Sequence, residues 1–405
     1  MSSTSVEGGS WSEPKIVFCV GAVQFVNILD FMMVMPLGPD FARALDMPVS
    51  HLGYIGGSYT AAASVSGMAG AFFLDRFDRR KALGVAMLGL VLGTLSGAFA
   101  TGFGTLLLAR IVAGLFGGPA TSLAYSIIAD VIPSARRGRA MGAVMGAFAL
   151  ASVLGVPAGL ELARRGGWRL PFLAVAALGA LLGAYAYVVL PPMTGHLEAG
   201  RPAQRPRDLL ALARTDVALS LVMSFLLMIA AFTVVPSFSP YLLGNLHYPR
   251  ERLGLLYLVG GVVSFVITRI VGRLVDRFGS APVGTFGAVF VATVTYLGFV
   301  QAPPMIPVMA LFVGFMGGSS FRNVAYNTLT SKIPRPEERA RFSSVQSAVQ
   351  HLASALGAFL GSKLLTELPG GALGGMARVA GLSIVFGLVL VPLLFAVEAR
   401  VARNA

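Results

Sequence analysis

The chain has 405 residues, of which 56% are hydrophobic and only 12% charged. That is about half the charged fraction of a soluble domain, which excludes an ordinary soluble enzyme, and the hydrophobicity excludes a disordered chain. A single cysteine, Cys19, excludes an internal disulfide and a cysteine-based zinc site; the net charge of +13 requires no nucleic-acid partner, because the bases lie in short segments between apolar runs.

A membrane helix needs about 20 mostly apolar residues. Twelve such runs are predicted, centred near residues 26, 62, 91, 116, 151, 179, 228, 263, 291, 318, 353 and 387. The first is long, carries Asn27 and Asp30 and lacks a small-residue cleavage site, so it reads as a span rather than a removed leader. Span 2 contains Tyr59 and leads into Asp75-Arg76-Phe-Asp78-Arg79-Arg80. Span 4 contains Arg110 and Tyr125 and ends at Asp130, and span 5 contains Gly155-Val-Pro157-Ala-Gly159. Residues 193–214 are polar, basic and Pro-containing, and read as a linker. Span 8 contains Arg269 and ends in Asp276-Arg277. Span 10 contains Arg322, Asn323, Tyr326 and Asn327. Span 11 follows Arg341 and contains Gln346, Gln350 and His351.

Lys and Arg in the connecting segments set the orientation. Twenty fall on the side of the two termini and seven on the other, which places both termini in the cytoplasm. The chain also repeats itself. Asp75-Arg76-Phe77 recurs 201 residues later as Asp276-Arg277-Phe278, Leu52-Gly53 as Leu253-Gly254, and Ile132-Pro133 as Ile333-Pro334. Gly114, Gly117 and Gly118 recur 200 residues later as Gly314, Gly317 and Gly318. The prediction is an all-α membrane protein of twelve transmembrane helices in two pseudo-symmetric six-helix halves, 1–192 and 215–405. Parallel repeats with a site between them are a transporter design.

These motifs resemble the major facilitator superfamily, in particular its twelve-span drug:proton antiporter branch. The family's G-x-x-x-D-R-x-G-R-R/K loop is matched by Asp75, Arg76, Arg79 and Arg80, with Ala71 and Asp78 in the glycine places. The second copy, Gly272-Arg-Leu-Val-Asp276-Arg277-Phe-Gly279, keeps both glycines and lacks the basic pair. Arg110 with Gly114 is similar to the span 4 pattern, and Gly155-Val-Pro157-Ala-Gly159 to the antiporter motif of span 5. The resemblance implies the major facilitator fold. It also implies proton-coupled export of a small organic or amphiphilic molecule by rocker-switch alternating access, by a monomer in the bilayer of a bacterial inner membrane, with no cofactor. Uniport, or proton-coupled uptake of a small anionic or amphiphilic solute, is the alternative. It further implies a cytoplasmic latch between the halves, with Asp75 near Arg341 and Asp130 near Arg79 and Arg80, holding an outward-open state. Asp78 receives no role. Gly142/Gly146, Gly155/Gly159 and Gly357/Gly361 are small-x-x-x-small pairs; in the resembled fold spans 5 and 11 face the opposite half, so these glycines are expected to form a smooth surface for rocking.

Charges at bilayer depth need a reason, since each costs at least about 2.5–3.5 kcal/mol. Asp30 lies about 10 Å and Arg110 about 9 Å from the outer ends of their spans, at 1.5 Å per residue. The matching depth permits a pair, and the second half has Ala231 and Ala310 or Leu311 at the corresponding places. An acid whose cation moves away between states binds and releases a proton with that motion, so Asp30 is read as the coupling site, Arg110 as its partner, and His351 as the next candidate. Asn27, Tyr59, Tyr125, Arg269, Arg322, Asn323, Tyr326, Asn327, Gln346 and Gln350 are read as substrate-binding. Two arginines there would favour an acidic head group.

Overall fold

The computed structural model describes residues 13–194, 197, 214–301, 305–335 and 339–404. Most of the predicted linker lies outside them. One bundle contains α1 (Glu13–Ala44), α2 (Leu52–Phe73), α3 (Arg79–Ala98), α4 (Phe103–Val131), α5 (Ser134–Leu150), α6 (Val156–Gly166) and α7 (Arg169–Val189). The other contains α8 (Thr215–Gly244), α9 (Leu253–Phe278), α10 (Ser280–Thr295), α11 (Val308–Thr330), α12 (Arg339–Leu364) and α13 (Met376–Asn404). A short antiparallel hairpin, β1 (Thr366–Glu367) with β2 (Leu373–Gly374), precedes α13. The chain turns between two faces. Glu13 and Asn404 lie on the termini face, and the α1–α2 and α8–α9 turns on the loop face. In those two turns Asp46 (φ 48°) and His247 (φ 50°) both adopt the left-handed conformation, a local signature of the internal repeat.

Among the described residues, nine helical segments are long and apolar enough to cross a membrane, against the twelve predicted. The helices outside that set, α2, α11 and α12, have 22, 23 and 26 residues. Length is sufficient, but Gly, Ser, Tyr, Asn and Gln replace part of their apolar content because they pack inside and between the bundles. α5 and α6 form one rod through a π turn at Ala151–Gly155, in which Val156 N bonds Ala151 O. Pro157 follows, with no N–H to offer Val153.

In lipid, helices associate through close packing of small residues rather than a hydrophobic drive. A Cβ on Gly114 would run into the Tyr59 carbonyl, and one on Gly118 into that of Ala63, so α4 lies backbone to backbone on α2. Gly357 and Gly361 do the same against Ile229 and Thr233 of α8. The expectation that these glycines face the opposite half is therefore corrected. The surface of α12 that crosses to the other bundle lies one residue on, about 100° around the helix, and consists of Ala358, Phe359 and Ser362 against Gly53 and Gly57 of α2. Gly155 stands on Leu29 of α1, and Gly261 of α9 on Ser152 and Val153 of the π turn. A Cβ on Gly142 or Gly146 would meet nothing within 4 Å.

Asp78, which sequence reasoning left without a role, is the N-cap of α3. Its Oδ1 accepts from Arg80 N and from Met193 N, both at 2.9 Å. In the repeat, Gly279 (φ 89°) takes that place. The capping carboxylate there comes from Glu398 of α13, which accepts from Ser280 N at 2.5 Å and Ala281 N at 3.2 Å. Each half thus caps the same helix end by a different route, which accounts for an aspartate where the family loop has glycine. Asp78→Ala is expected to lower stability by about 1 kcal/mol, read as a fall in thermal midpoint that Asp78→Asn largely avoids.

Candidate functional site

The structure brings Asp30 and Arg110 together. Both are buried, at 0% and 1% exposure. Arg110 Nη1 donates to Oδ1 at 3.0 Å and Nη2 to Oδ2 at 2.9 Å, a two-pronged pair. Thr94 Oγ1 lies 2.7 Å from Oδ1 and 2.9 Å from the Leu90 carbonyl oxygen. Its single proton serves one acceptor at a time. A protonated Asp30 can therefore donate to Thr94 while Thr94 donates to Leu90, so the hydroxyl satisfies both states of the acid. Thr94 was not legible in the sequence, because nothing marks which face of α3 meets α1.

The pair is wired to the bundle contact. The Arg110 guanidinium lies over the Tyr59 ring, 4.7 Å from its centroid. Tyr59 Oη donates to Asn27 Oδ1 at 2.6 Å, and Asn27 Nδ2 donates to Gly117 O at 3.0 Å and Thr121 Oγ1 at 2.7 Å. The Tyr59 ring stacks on Phe31 at 5.4 Å, and Phe31 meets Phe232 of the other bundle at 5.8 Å. Tyr125 is half-buried against the core of the first bundle.

In the second bundle, Tyr326 is fully buried and gathers three partners. Gln346 Nε2 donates to its hydroxyl at 2.6 Å and Gln350 Nε2 at 3.1 Å, and Ser224 Oγ hydrogen-bonds it from α8. Asn323 is half-buried and Asn327 exposed on the same helix, and His351 is half-buried on α12. The two arginines do not join this cluster. Arg322 is only 3% exposed and has no ion-pair or hydrogen-bond partner among the described residues. Its Nη1 lies 3.7 Å from where a Cβ on Gly387 would stand, so it is turned toward α13. Arg269 is exposed, over the Phe265 ring at 4.9 Å. It lies on the flank of α9 away from Ser264 and Ile267, which pack on α11.

Of the predicted latch, Arg79 Nε meets Asp130 Oδ2 at 3.2 Å, but this pair joins α3 to α4 within one bundle. The expectation that it crosses between the halves is corrected. Both residues belong to the half 1–192, so the pair closes one end of the first bundle and makes no contact between halves. Arg80 stacks on Tyr187 at 4.7 Å. Arg76, Asp276 and Arg277 are exposed, and Arg277 lies over Phe278 at 5.2 Å. Arg341 is half-buried, and the side chain of Asp75 lies outside the described residues. Among the described residues, the polar contacts that cross between bundles run from the loop face to mid-depth. Arg250 Nε donates to Asp40 Oδ1 at 2.9 Å and Oδ2 at 3.1 Å, with Nη2 also on Oδ2. Val49 N donates to Glu367 Oε2 at 2.9 Å, and Ser64 Oγ to Ala348 O at 2.8 Å. The loop face is closed. Gly155, Pro157 and Gly159 sit where the α5–α6 rod meets α1 and α9: a Cβ on Gly159 would stand 3.9 Å from Met33 Cβ, and one on Gly254 4.0 Å from Pro157 O.

Two bundles that meet along α2–α12, α1–α8 and α6–α9, with a buried ion pair beside their contact, have the architecture of a secondary transporter. Residues 20–358 match the Major Facilitator Superfamily, and the chain belongs to it: it is a multi-pass membrane transporter of small molecules, not an enzyme. The chain is 29% identical over 400 residues to the inner membrane transport protein YdhP of Escherichia coli, covering 96% of this chain and 94% of that one. It is 26% identical over 366 residues to the purine ribonucleoside efflux pump NepI of Escherichia coli, covering 89% and 88%. A D-xylose-proton symporter superposes with a TM-score of 0.74 at 18% identity, over 94% of this chain and 96% of that one. A bacterial homologue of the human lysosomal transporter Spinster, in an inward-facing and unoccupied conformation, superposes with 0.73 at 14% identity, over 98% and 99%. Both solved structures show the major facilitator fold.

Proposed function

We propose that the chain exports a small organic molecule in exchange for protons across a bacterial inner membrane. Alternating access takes place between the halves 1–192 and 215–405, with both termini in the cytoplasm. The observation that carries the coupling is the buried Asp30–Arg110 pair, which has only Ala231 and Ala310 or Leu311 at the matching places of the repeat. Architecture alone would call for it in both bundles. Protonation of Asp30 removes the charge that holds Arg110. Arg110, already over the Tyr59 ring, is then free to shift against it, and the Tyr59–Phe31–Phe232 stack passes the change to the contact between α1 and α8. The twenty-to-seven distribution of Lys and Arg supports the orientation, and under it the structure is closed to the outside.

For the substrate, the amides of Gln346 and Gln350 on the Tyr326 hydroxyl, with the half-buried Asn323 and exposed Asn327 on the same helix as Tyr326, support a solute with several hydrogen-bonding groups. Arg322 and Arg269 turn elsewhere, which removes the reason for an acidic head group. The purine ribonucleosides in the name of NepI are the first compounds to test. In vesicles loaded with a pH dye, an imposed proton gradient should drive nucleoside accumulation against its own gradient, with proton movement opposite to the solute. Equilibration of the nucleoside with neither accumulation nor proton movement would make the chain a uniporter; movement of both in one direction would make it a symporter.

A further inference from the structure

The first bundle carries a groove that alternating access does not use. It lies between α1 and α5, with Leu182 of α7 on its flank, and has a volume of about 970 Å³. Among the described residues its lining comes from the first bundle alone. Its shape therefore does not depend on where the second bundle stands, which a substrate pathway between bundles would require. Small residues open it: a Cβ on Gly21 or Gly146 would meet nothing within 4 Å. Phe18, 60% exposed, forms part of its wall. The wall is apolar, and its charged residues, Glu13, Arg136 and Arg139, all sit at the termini-face end. Arg136 Nη2 holds Glu13 Oε1 at 2.8 Å, an exposed pair at 64% and 33%. Arg139 has no ion-pair partner among the described residues.

The dimensions match one leaflet. On α1 the groove runs from Glu13 to Phe25, about 18 Å at 1.5 Å per residue, a little over half of the ~30 Å hydrocarbon thickness. An apolar slot one leaflet deep, with two arginines and one glutamate at its polar end, is complementary to a single lipid carrying net negative charge. We propose that this groove binds an anionic phospholipid, with an acyl chain along Gly21 and Gly146 and the phosphate at Arg139 and Arg136. Arg136 exchanges its weak surface partner Glu13 for the phosphate. Basic pockets between membrane helices are known to hold anionic head groups in this way. The inference rests on the chain being a membrane protein and not on the direction or coupling of transport.

The test is native mass spectrometry of the purified full chain, with phosphatidylglycerol and phosphatidylcholine of identical acyl chains added in equal amounts. Wild type should retain phosphatidylglycerol in preference, by roughly fivefold for each arginine. Arg136→Gln with Arg139→Gln should remove the preference while lipid is still retained. Gly146→Leu should lose both lipids by filling the slot, and glycerol phosphate alone should fail to compete, since it lacks the acyl chain. A lipid with a photoactivatable acyl chain should label wild type at peptides containing Gly21 or Gly146, which keeps the test independent of how Gly146→Leu folds. Equal retention of the two lipids by wild type, an undiminished preference in the double glutamine variant, competition by glycerol phosphate, or labelling confined to other helices would each overturn the proposal.

Discussion

Asp30→Asn is expected to abolish uphill, proton-driven transport while leaving substrate binding and downhill counterflow measurable. The amide keeps the size of the acid and still accepts from Arg110, but it cannot carry a proton from one side to the other. The change also strands a guanidinium at 1% exposure. Removing one partner of a buried pair costs about 3–5 kcal/mol, so loss of transport alone would not separate coupling from folding. The double variant Asp30→Asn with Arg110→Gln separates them. It replaces the ion pair by a neutral hydrogen-bonded one, so its thermal midpoint should recover most of the loss seen in Asp30→Asn. Uphill transport should stay absent in both. If either variant retains full proton-coupled transport at every pH, Asp30 is not the coupling site, and His351 of α12 becomes the next candidate.

Part of this arrangement was legible in the sequence. The two halves could be read from Asp75-Arg76-Phe77 and its copy, because a repeat that folds twice keeps its turns. Asp30 and Arg110 could be paired by depth, because rise per residue fixes depth once the ends of the spans are known. What depth cannot give is direction around the helix. Arg322 and Tyr326 are four residues apart on α11, yet Tyr326 meets α8 and α12 while Arg322 turns to α13 at Gly387. Gly357 and Gly361 were legible as a packing pair, but the helix they pack on was not. The latch was misjudged for another reason: Arg79 and Asp130 share a depth, but both lie within 1–192, so their pair belongs to one bundle and cannot join the two halves. Asp78 was missed for a different reason. Compared with a loop that carries glycine there, it looked like a departure, whereas its carboxylate replaces a cap that the repeat obtains from Glu398.

The contact least visible in the sequence is Asp40–Arg250, two residues 210 apart with no motif around either. Arg250→Ala is expected to move the population toward a state open at the loop face. The pair joins the end of α1 to the turn before α9, one across each bundle. Beside it, Glu367 of the hairpin accepts from Val49 N, and the hairpin is docked on α8 by Asn245, which both donates to Leu373 O at 3.0 Å and accepts from Leu373 N at 2.8 Å. Opening this face must break the Asp40–Arg250 pair, whereas the Asn245 contact stays within one bundle and can travel with it. Hydrogen bonds to charged groups contribute about 1.5–3 kcal/mol, and side-chain exposures of 25% and 21% reduce this toward the lower end. A change near 1.4 kcal/mol is about tenfold in the equilibrium between closed and open. Spin labels at Ala44 and Arg252 report the distance across this face, and the native Cys19 is buried and will not compete for label. Asp40→Ala should lengthen that distance as Arg250→Ala does, and the two together should add nothing further, since either alone removes the whole interaction. Exchanging the charges, Asp40→Arg with Arg250→Asp, should restore the closed distribution. If the distances in Arg250→Ala match those of wild type, closure of the loop face is held by the packing of α2 on α12, through Gly53 and Gly57, and the ion pair is incidental to it.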